Sequence, residues 1–212
     1  MSAAKRSGAG PSGREGVPTD GTVVVVGAAL AGFRAAQGLR AGGFTGRLVL
    51  VGEELHPPYD RPPLSKQILA GTWGPERAAL ADGEALGKLG IELLLGRRAR
   101  SLDAEARRVV LSDGTTLEAD AVVVATGAKP RDLPGTSDNP AVVVLRTLDD
   151  CLSLRRQVGE AGEGCRVVVV GAGFIGSEVA ATCAGLGCRV TVVEALATPL
   201  ATALGETVGG AC

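Results

Sequence analysis

One pattern occurs twice in this chain of 212 residues, and it constrains the fold more than any other feature. Near the N-terminus TVVVV (22–26) leads into the turn GAALAG, an alanine-rich stretch and then RLVLV (47–51). Further on, RVVVV (166–170) leads into GAGFIG, another apolar stretch and RVTVV (189–193). Unbroken aliphatic runs of this length suit strands buried on both faces of a parallel sheet. Parallel neighbours need a crossover, and the composition of 30–40 and 177–186 favours helix there. Gly42 and Gly43 stop the first helix. Each copy is thus a βαβ unit of about 30 residues. Two in series predict an α/β chain with two Rossmann-like dinucleotide-binding domains.

The turn of the second copy is complete. Gly171 allows the tight turn, Gly173 lets backbone approach a pyrophosphate, and Gly176 lets the helix pack close to the strand. Ile175 lies in the same turn and joins the expected cofactor-binding residues. The following helix N-terminus offers free N–H groups and a positive dipole end to phosphate. With 32 glycines in the chain, a bare G-x-G-x-x-G is expected almost once by chance, so context decides. That context is present: a valine strand before, a helix after, and Glu194 23 residues beyond Gly171. A carboxylate there accepts both ribose hydroxyls and repels a 2′-phosphate, which favours NAD(H) over NADP(H). In the first copy the glycines are Gly27 and Gly32, with Ala29 between them. Its methyl narrows the pyrophosphate approach without closing it. Glu53, 26 residues after Gly27, is the ribose-binding candidate.

Between the copies, HPPYDRPPLSK (56–66) carries four prolines and reads as an extended loop, with a helix able to start only after Leu64. Strands are expected at 91–95 and 121–125, the latter ending at Thr126-Gly127. A hairpin is expected from 107–111 and 115–118 around Asp113-Gly114. Pro130, Pro134, Gly135 and Pro140 mark a linker, and a helix is expected over 148–158. Beyond 195 the pattern fades. The expected division is a disordered tail (1–20), a first dinucleotide-binding part (21–130), a linker (131–145) and an NAD-binding part (146–212).

Composition narrows the function further. The 22 Lys+Arg balance 23 Asp+Glu, which argues against nucleic acid as the main partner. No apolar run approaches the ~20 residues of a membrane span. The first 20 residues lack the apolar segment of a signal peptide. Five cysteines without a C-x-x-C argue against a disulfide framework or a zinc site, and point to reduced, mostly buried thiols in a cytoplasmic protein. Cys183 and Cys188 are expected to point apart on one helix. His56 is the only histidine, so neither a His-rich metal site nor a Ser-His-Asp triad is available. Trp73 reads as a packing or surface residue.

Two fingerprints in series, with YDRPPLSK after the first and VVVATGAKPR before the second, resemble the FAD-dependent NADH:ferredoxin reductases that serve bacterial oxygenase and cytochrome P450 systems. The resemblance runs from about residue 22 to about 200 and implies the glutathione-reductase-type, three-layer architecture. It covers only the N-terminal half of such an enzyme, so both domains are expected to be incomplete. It implies that Gly27, Ala29, Ala31 and Gly32 lie along the FAD pyrophosphate and that Glu53 holds the adenosine ribose. Arg61 and Lys66 would sit toward the flavin, Ala99 at the adenine end, Thr126 and Gly127 at the close of the FAD unit, and Arg146 would reach back to the cofactor. It pairs Lys66 with Glu178 beside the flavin as the catalytic residues, with no metal. A lysine ammonium there would stabilise the negative charge of the reduced flavin, and the glutamate would orient it.

Relatives that reduce disulfides carry a Cys pair after the first βαβ unit, whereas this chain has no Cys before Cys151. Direct transfer from flavin to a ferredoxin-type iron–sulfur protein is the implied route. The cluster Arg97, Arg98, Arg100, Arg107 and Arg108 could dock an acidic ferredoxin, although a solvated hairpin face is the simpler reading. Two other readings stay open: a nucleotide-binding fragment without turnover, and a plain NAD-dependent dehydrogenase. The first fingerprint and YDRPPLSK speak against the dehydrogenase.

Overall fold

The computed structural model describes residues 17–136 and 138–211. Most of the expected N-terminal tail, and Cys212, lie outside these residues. The described residues fall into two units. The first comprises those up to Pro57 together with Gly83–Thr126, and the second Pro58–Asp82 together with Gly127 onward.

In the first unit β1 (Thr22–Val26) lies at the heart of a parallel sheet. It pairs with β2 (Arg47–Val51) in the register Thr22↔Arg47 to Val26↔Val51. Helix α1 (Leu30–Ala41) makes the crossover between them. Helix α2 (Gly83–Lys88) precedes β3 (Ile91–Leu94), which pairs with β2. A meander follows: β4 (Ala99–Asp103), β5 (Arg108–Leu111) and β6 (Thr116–Glu118), antiparallel throughout. Then β7 (Ala121–Val124) returns to pair with the other edge of β1, giving the order β3-β2-β1-β7. Val24, Val49, Val51, Val109, Leu111 and Leu117 form one buried cluster, which places the meander's inner face on the sheet. Each such side chain contributes about 1.5–3 kcal/mol when fully buried. At the hairpin tip the Asp113 carboxylate accepts from the Thr115 N–H at 3.0 Å, and Gly114 takes φ +85°.

In the second unit the proline-rich segment is not wholly extended, since a 3-10 turn spans Pro62–Ser65. The two prolines occupy its first positions, where a missing N–H leaves nothing unpaired and the fixed φ suits a helical turn. Helix α3 (Leu148–Ala161) opens with a capping box between Thr147 and Asp150 and runs three residues past the expected end. A parallel pair follows, β8 (Arg166–Val170) and β9 (Arg189–Val193), connected by α4 (Phe174–Gly185). A last helix, α5 (Ala201–Gly209), falls where the sequence pattern fades and is kinked at Gly205. Tyr59, Leu64, Ile68, Leu69, Leu148, Cys151, Val179 and Cys183 form the core of this unit. The proline-rich segment is therefore packed on α3 and α4 through its own apolar side chains. By contrast Val168 and Val170 of β8, and Val192 and Val193 of β9, are exposed.

Candidate functional site

Both glycine turns have one construction. Gly27 follows β1 with φ +117°, and its N–H donates to the Val51 carbonyl at 2.8 Å. Gly171 follows β8 with φ +101°, and its N–H donates to the Val193 carbonyl at 2.7 Å. A Cβ on Gly32 would stand 1.8 Å from the Gly27 carbonyl oxygen, and one on Gly176 would stand 1.9 Å from that of Gly171. No side chain fits at either place, so these glycines serve the fold. Gly173 is different. A Cβ there would meet no atom within 4 Å, and its φ of −77° suits any residue. The fold does not require glycine at 173, whereas a ligand pressed against the backbone would. Ala29 occupies the equivalent place in the first unit, at the N-cap of α1.

Neither α1 nor α4 has a side-chain cap or an acidic residue in its first turn. Their leading N–H groups therefore face outward with the positive dipole end, the arrangement that receives phosphate. Ala31 and Ile175 are exposed at these two helix starts.

The carboxylates after the second strands differ. Glu194 Oε2 accepts from the Ala172 N–H at 2.6 Å and Oε1 from the Leu196 N–H at 2.9 Å. These backbone bonds, Leu196 foremost, hold its carboxyl below the ordinary range. Glu194 is thus ionised and fixed against the glycine turn, with lone pairs left for ribose hydroxyls. Glu53 stands after β2, exposed, with Arg98 Nη1 at 3.9 Å. Ala99 begins β4, and Thr126 closes the first unit just after β7.

The second unit gathers residues that are far apart in sequence. Lys66 Nζ lies 2.9 Å from Glu178 Oε1. The Ser65 hydroxyl donates to Glu178 Oε2 at 2.5 Å, across 113 positions of sequence. Ser65 is 5% exposed and is the buried polar residue of the structure's described part. Its carbonyl accepts from the Thr182 hydroxyl at 2.8 Å, so α4 grips the loop at Glu178 and again one turn later. The Ser65 and Lys66 hydrogen bonds, in that order, hold the Glu178 carboxyl below the ordinary range.

Arg61 donates to the Arg146 carbonyl and stacks on the Tyr59 ring at 5.3 Å. The Tyr59 hydroxyl accepts from the Leu148 N–H at 2.9 Å. Asp150 accepts from the Arg146 N–H at 3.0 Å while closing the capping box. The Arg146 side chain reaches the open side of Gly127, where φ is +68°. Ser65, Thr182 and Asp150 are the positioning residues that sequence reasoning missed. Only Asp150 carried a local signal, the T-x-x-D spacing from Thr147.

The family model for pyridine nucleotide-disulphide oxidoreductases matches residues 21–212. The chain belongs to this family. It is 43% identical over 189 residues to the ferredoxin–NAD(+) reductase subunit of a benzene 1,2-dioxygenase system from Pseudomonas putida, covering 88% of this chain and 45% of that protein. It is 42% identical over 190 residues to rhodocoxin reductase from Rhodococcus erythropolis, covering 89% and 44%. Among solved structures, the covalent putidaredoxin reductase–putidaredoxin complex superposes with a TM-score of 0.83 at 39% identity, covering 90% of this chain and 46% of that one. The chain thus spans less than half the length of the curated relatives it matches.

In this member of the pyridine nucleotide-disulphide oxidoreductases, four of the five arginines of the cluster, all but Arg100, face carboxylates. Arg97 faces Asp113 at 3.1 Å, Arg98 faces Glu53, Arg107 faces Asp120 at 3.7 Å and Arg108 faces Asp103 at 3.7 Å. Trp73 packs on the second unit's core with Arg77 stacked on its ring at 4.4 Å. Among the described residues no cluster of His, Cys, Asp and Glu could hold a metal, and no helix is long and apolar enough to cross a membrane. Cys151, Cys165, Cys183 and Cys188 are all free thiols. Cys188 does not share a helix with Cys183, because α4 ends at Gly185 and Gly187 turns the chain with φ +85°.

Proposed function

We propose that this chain carries nucleotide-binding parts of an enzyme that passes electrons from NADH through FAD to a ferredoxin-type iron–sulfur protein. The observation that carries the reading is the Lys66–Glu178 ion pair, braced by Ser65. A paired and hydrogen-bonded ammonium, each side chain still more than a third exposed, is held ready rather than spent as a structural bridge. Bound FAD would supply the two-electron acceptor for NADH and the one-electron donor for an iron–sulfur centre.

The 21–130 part would hold FAD. The first turn, at Gly27, Ala29, Ala31 and Gly32, would take its pyrophosphate through α1's free N–H groups. Glu53 would accept from the adenosine ribose, with Ala99, Thr126 and Gly127 along the same cofactor. Arg61 and Arg146 would meet it with positive charge. The 146–212 part would hold NADH, with Gly171, Gly173, Ile175 and Gly176 at the pyrophosphate and Glu194 at the ribose. Lys66 would stabilise the negative charge arriving on the flavin, and Glu178 would keep the ammonium oriented and charged. The relatives' names support the ferredoxin partner, and the four free thiols support a cytoplasmic location.

Replacing Lys66 or Glu178 by Ala should slow flavin reduction by NADH about 10-fold or more, while FAD bound per protein stays constant. An unchanged rate in both variants overturns the assigned roles. A second reading, nucleotide binding without turnover, is favoured by the exposed valines of β8 and β9. It predicts that the 212-residue chain retains little FAD and shows little turnover.

A further inference from the structure

The start of the β8–β9 pair holds a feature that nucleotide binding does not use. The register runs from Arg166↔Arg189 to Val170↔Val193. Cys165 and Cys188 are the residues just before it, and the ladder continues past them. The Arg189 N–H donates to the Cys165 carbonyl at 2.7 Å, and the Gly164 N–H to the Gly187 carbonyl at 3.0 Å. Adjacent strands lie about 4.8 Å apart, within the Cα separations of about 4.4–6.8 Å that disulfides span. The Cys165 thiol donates to the Cys188 sulfur at 3.0 Å, so the two side chains already point at each other. Both are half-buried and open to a small oxidant, whereas the nearby Cys183 is fully buried.

We propose that Cys165 and Cys188 are a redox modification site, closing to a disulfide when the protein meets a peroxide and reopening by exchange with small thiols. In the first step the Cys165 sulfur attacks hydrogen peroxide. The O–O bond breaks, and a sulfenic acid and one water result. The Cys188 sulfur then attacks that sulfur, the S–O bond breaks, and the hydroxide leaves as a second water with the Cys188 proton. Two electrons pass from the two sulfurs to the peroxide, and both thiol protons end in water.

Burial, first, and the neighbouring thiols push the Cys188 thiol up to about 12. The raised value disfavours Cys188 in the attack on peroxide, which falls to Cys165. The bond would lie about 20 Å from Gly171, six residues away across the length of β8. It would close β8, the glycine turn and α4 into one loop and pin its end to the start of β9.

The test uses the full chain. It is treated with one equivalent of hydrogen peroxide, blocked, digested without reductant and read by mass spectrometry. The expected result is a linked Cys165–Cys188 peptide pair lighter by two hydrogens. Titratable thiols should fall by two from the five in the sequence, and dithiothreitol should restore them. The oxidised chain should melt several degrees higher, and Cys188→Ser should abolish that shift and leave a sulfenic acid at Cys165 that dimedone traps. A link to Cys183 or Cys151, a link between chains, or five thiols remaining after peroxide would each overturn the proposal.

Discussion

Ser65 is the residue on which the proposed site turns. It touches Glu178 with its hydroxyl and Thr182 with its carbonyl, so it sets where the carboxylate sits before Lys66 joins. Ser65→Ala should therefore act through Glu178. The Glu178 carboxyl is depressed in the folded state, so its contribution is fully present above the ordinary glutamate range. It is lost as pH falls through the depressed folded value. Without the Ser65 hydroxyl that value should rise toward the ordinary one, and the acid limb of flavin reduction should move to higher pH. A pH profile of the reduction rate reads this directly, and an acid limb left in place would contradict it. Lys66 was legible because it stands in a specific run, RPPLSK. Ser65 and Thr182 were not, because their roles come from a contact between a loop and a helix with no local signature.

At the scale of elements, glycine has two separate tasks that substitution can separate. Gly176→Ala puts a Cβ where the Gly171 carbonyl already stands and should cost several kcal/mol or prevent folding of the second unit. Gly173→Ala meets nothing and should leave stability within about 0.5 kcal/mol while weakening NADH binding. Thermal melts and NADH titrations on the two variants should show this split. A Gly173→Ala protein with wild-type NADH affinity would contradict the pyrophosphate assignment.

Glu194→Ala should raise the KM for NADH and relax discrimination against NADPH, as paired kinetics with the two cofactors would show. The strands β1, β2, β8 and β9 were legible to the residue, because runs of β-branched and aliphatic residues beside a glycine turn favour a parallel strand. Strand β4 was not. Its sequence ARSLD is mostly polar and exposed, and it is a strand because β5 offers it partners. Helix α4 starts at Phe174, earlier than composition suggested, because the glycine turn itself winds into its first turn.

For the whole molecule, the repeated unit accounts for the β1–β2 and β8–β9 pairs, and the segment Pro58–Asp82 shows what repetition alone conceals. In sequence it follows the first βαβ unit, yet it packs with the second, through Tyr59, Leu64, Ile68 and Leu69 against Leu148 and Val179. Only long-range packing reveals this, because no period or spacing links 58–82 to 148–179. These parts would serve transfer from NADH through FAD to an iron–sulfur acceptor. The direct measurement is the anaerobic visible spectrum of the FAD-loaded protein, with NADH added first and oxidised ferredoxin second. The flavin's blue absorption band should bleach with NADH, far more slowly with NADPH, and return as the ferredoxin is reduced. A flavin band that NADH leaves untouched would contradict the account.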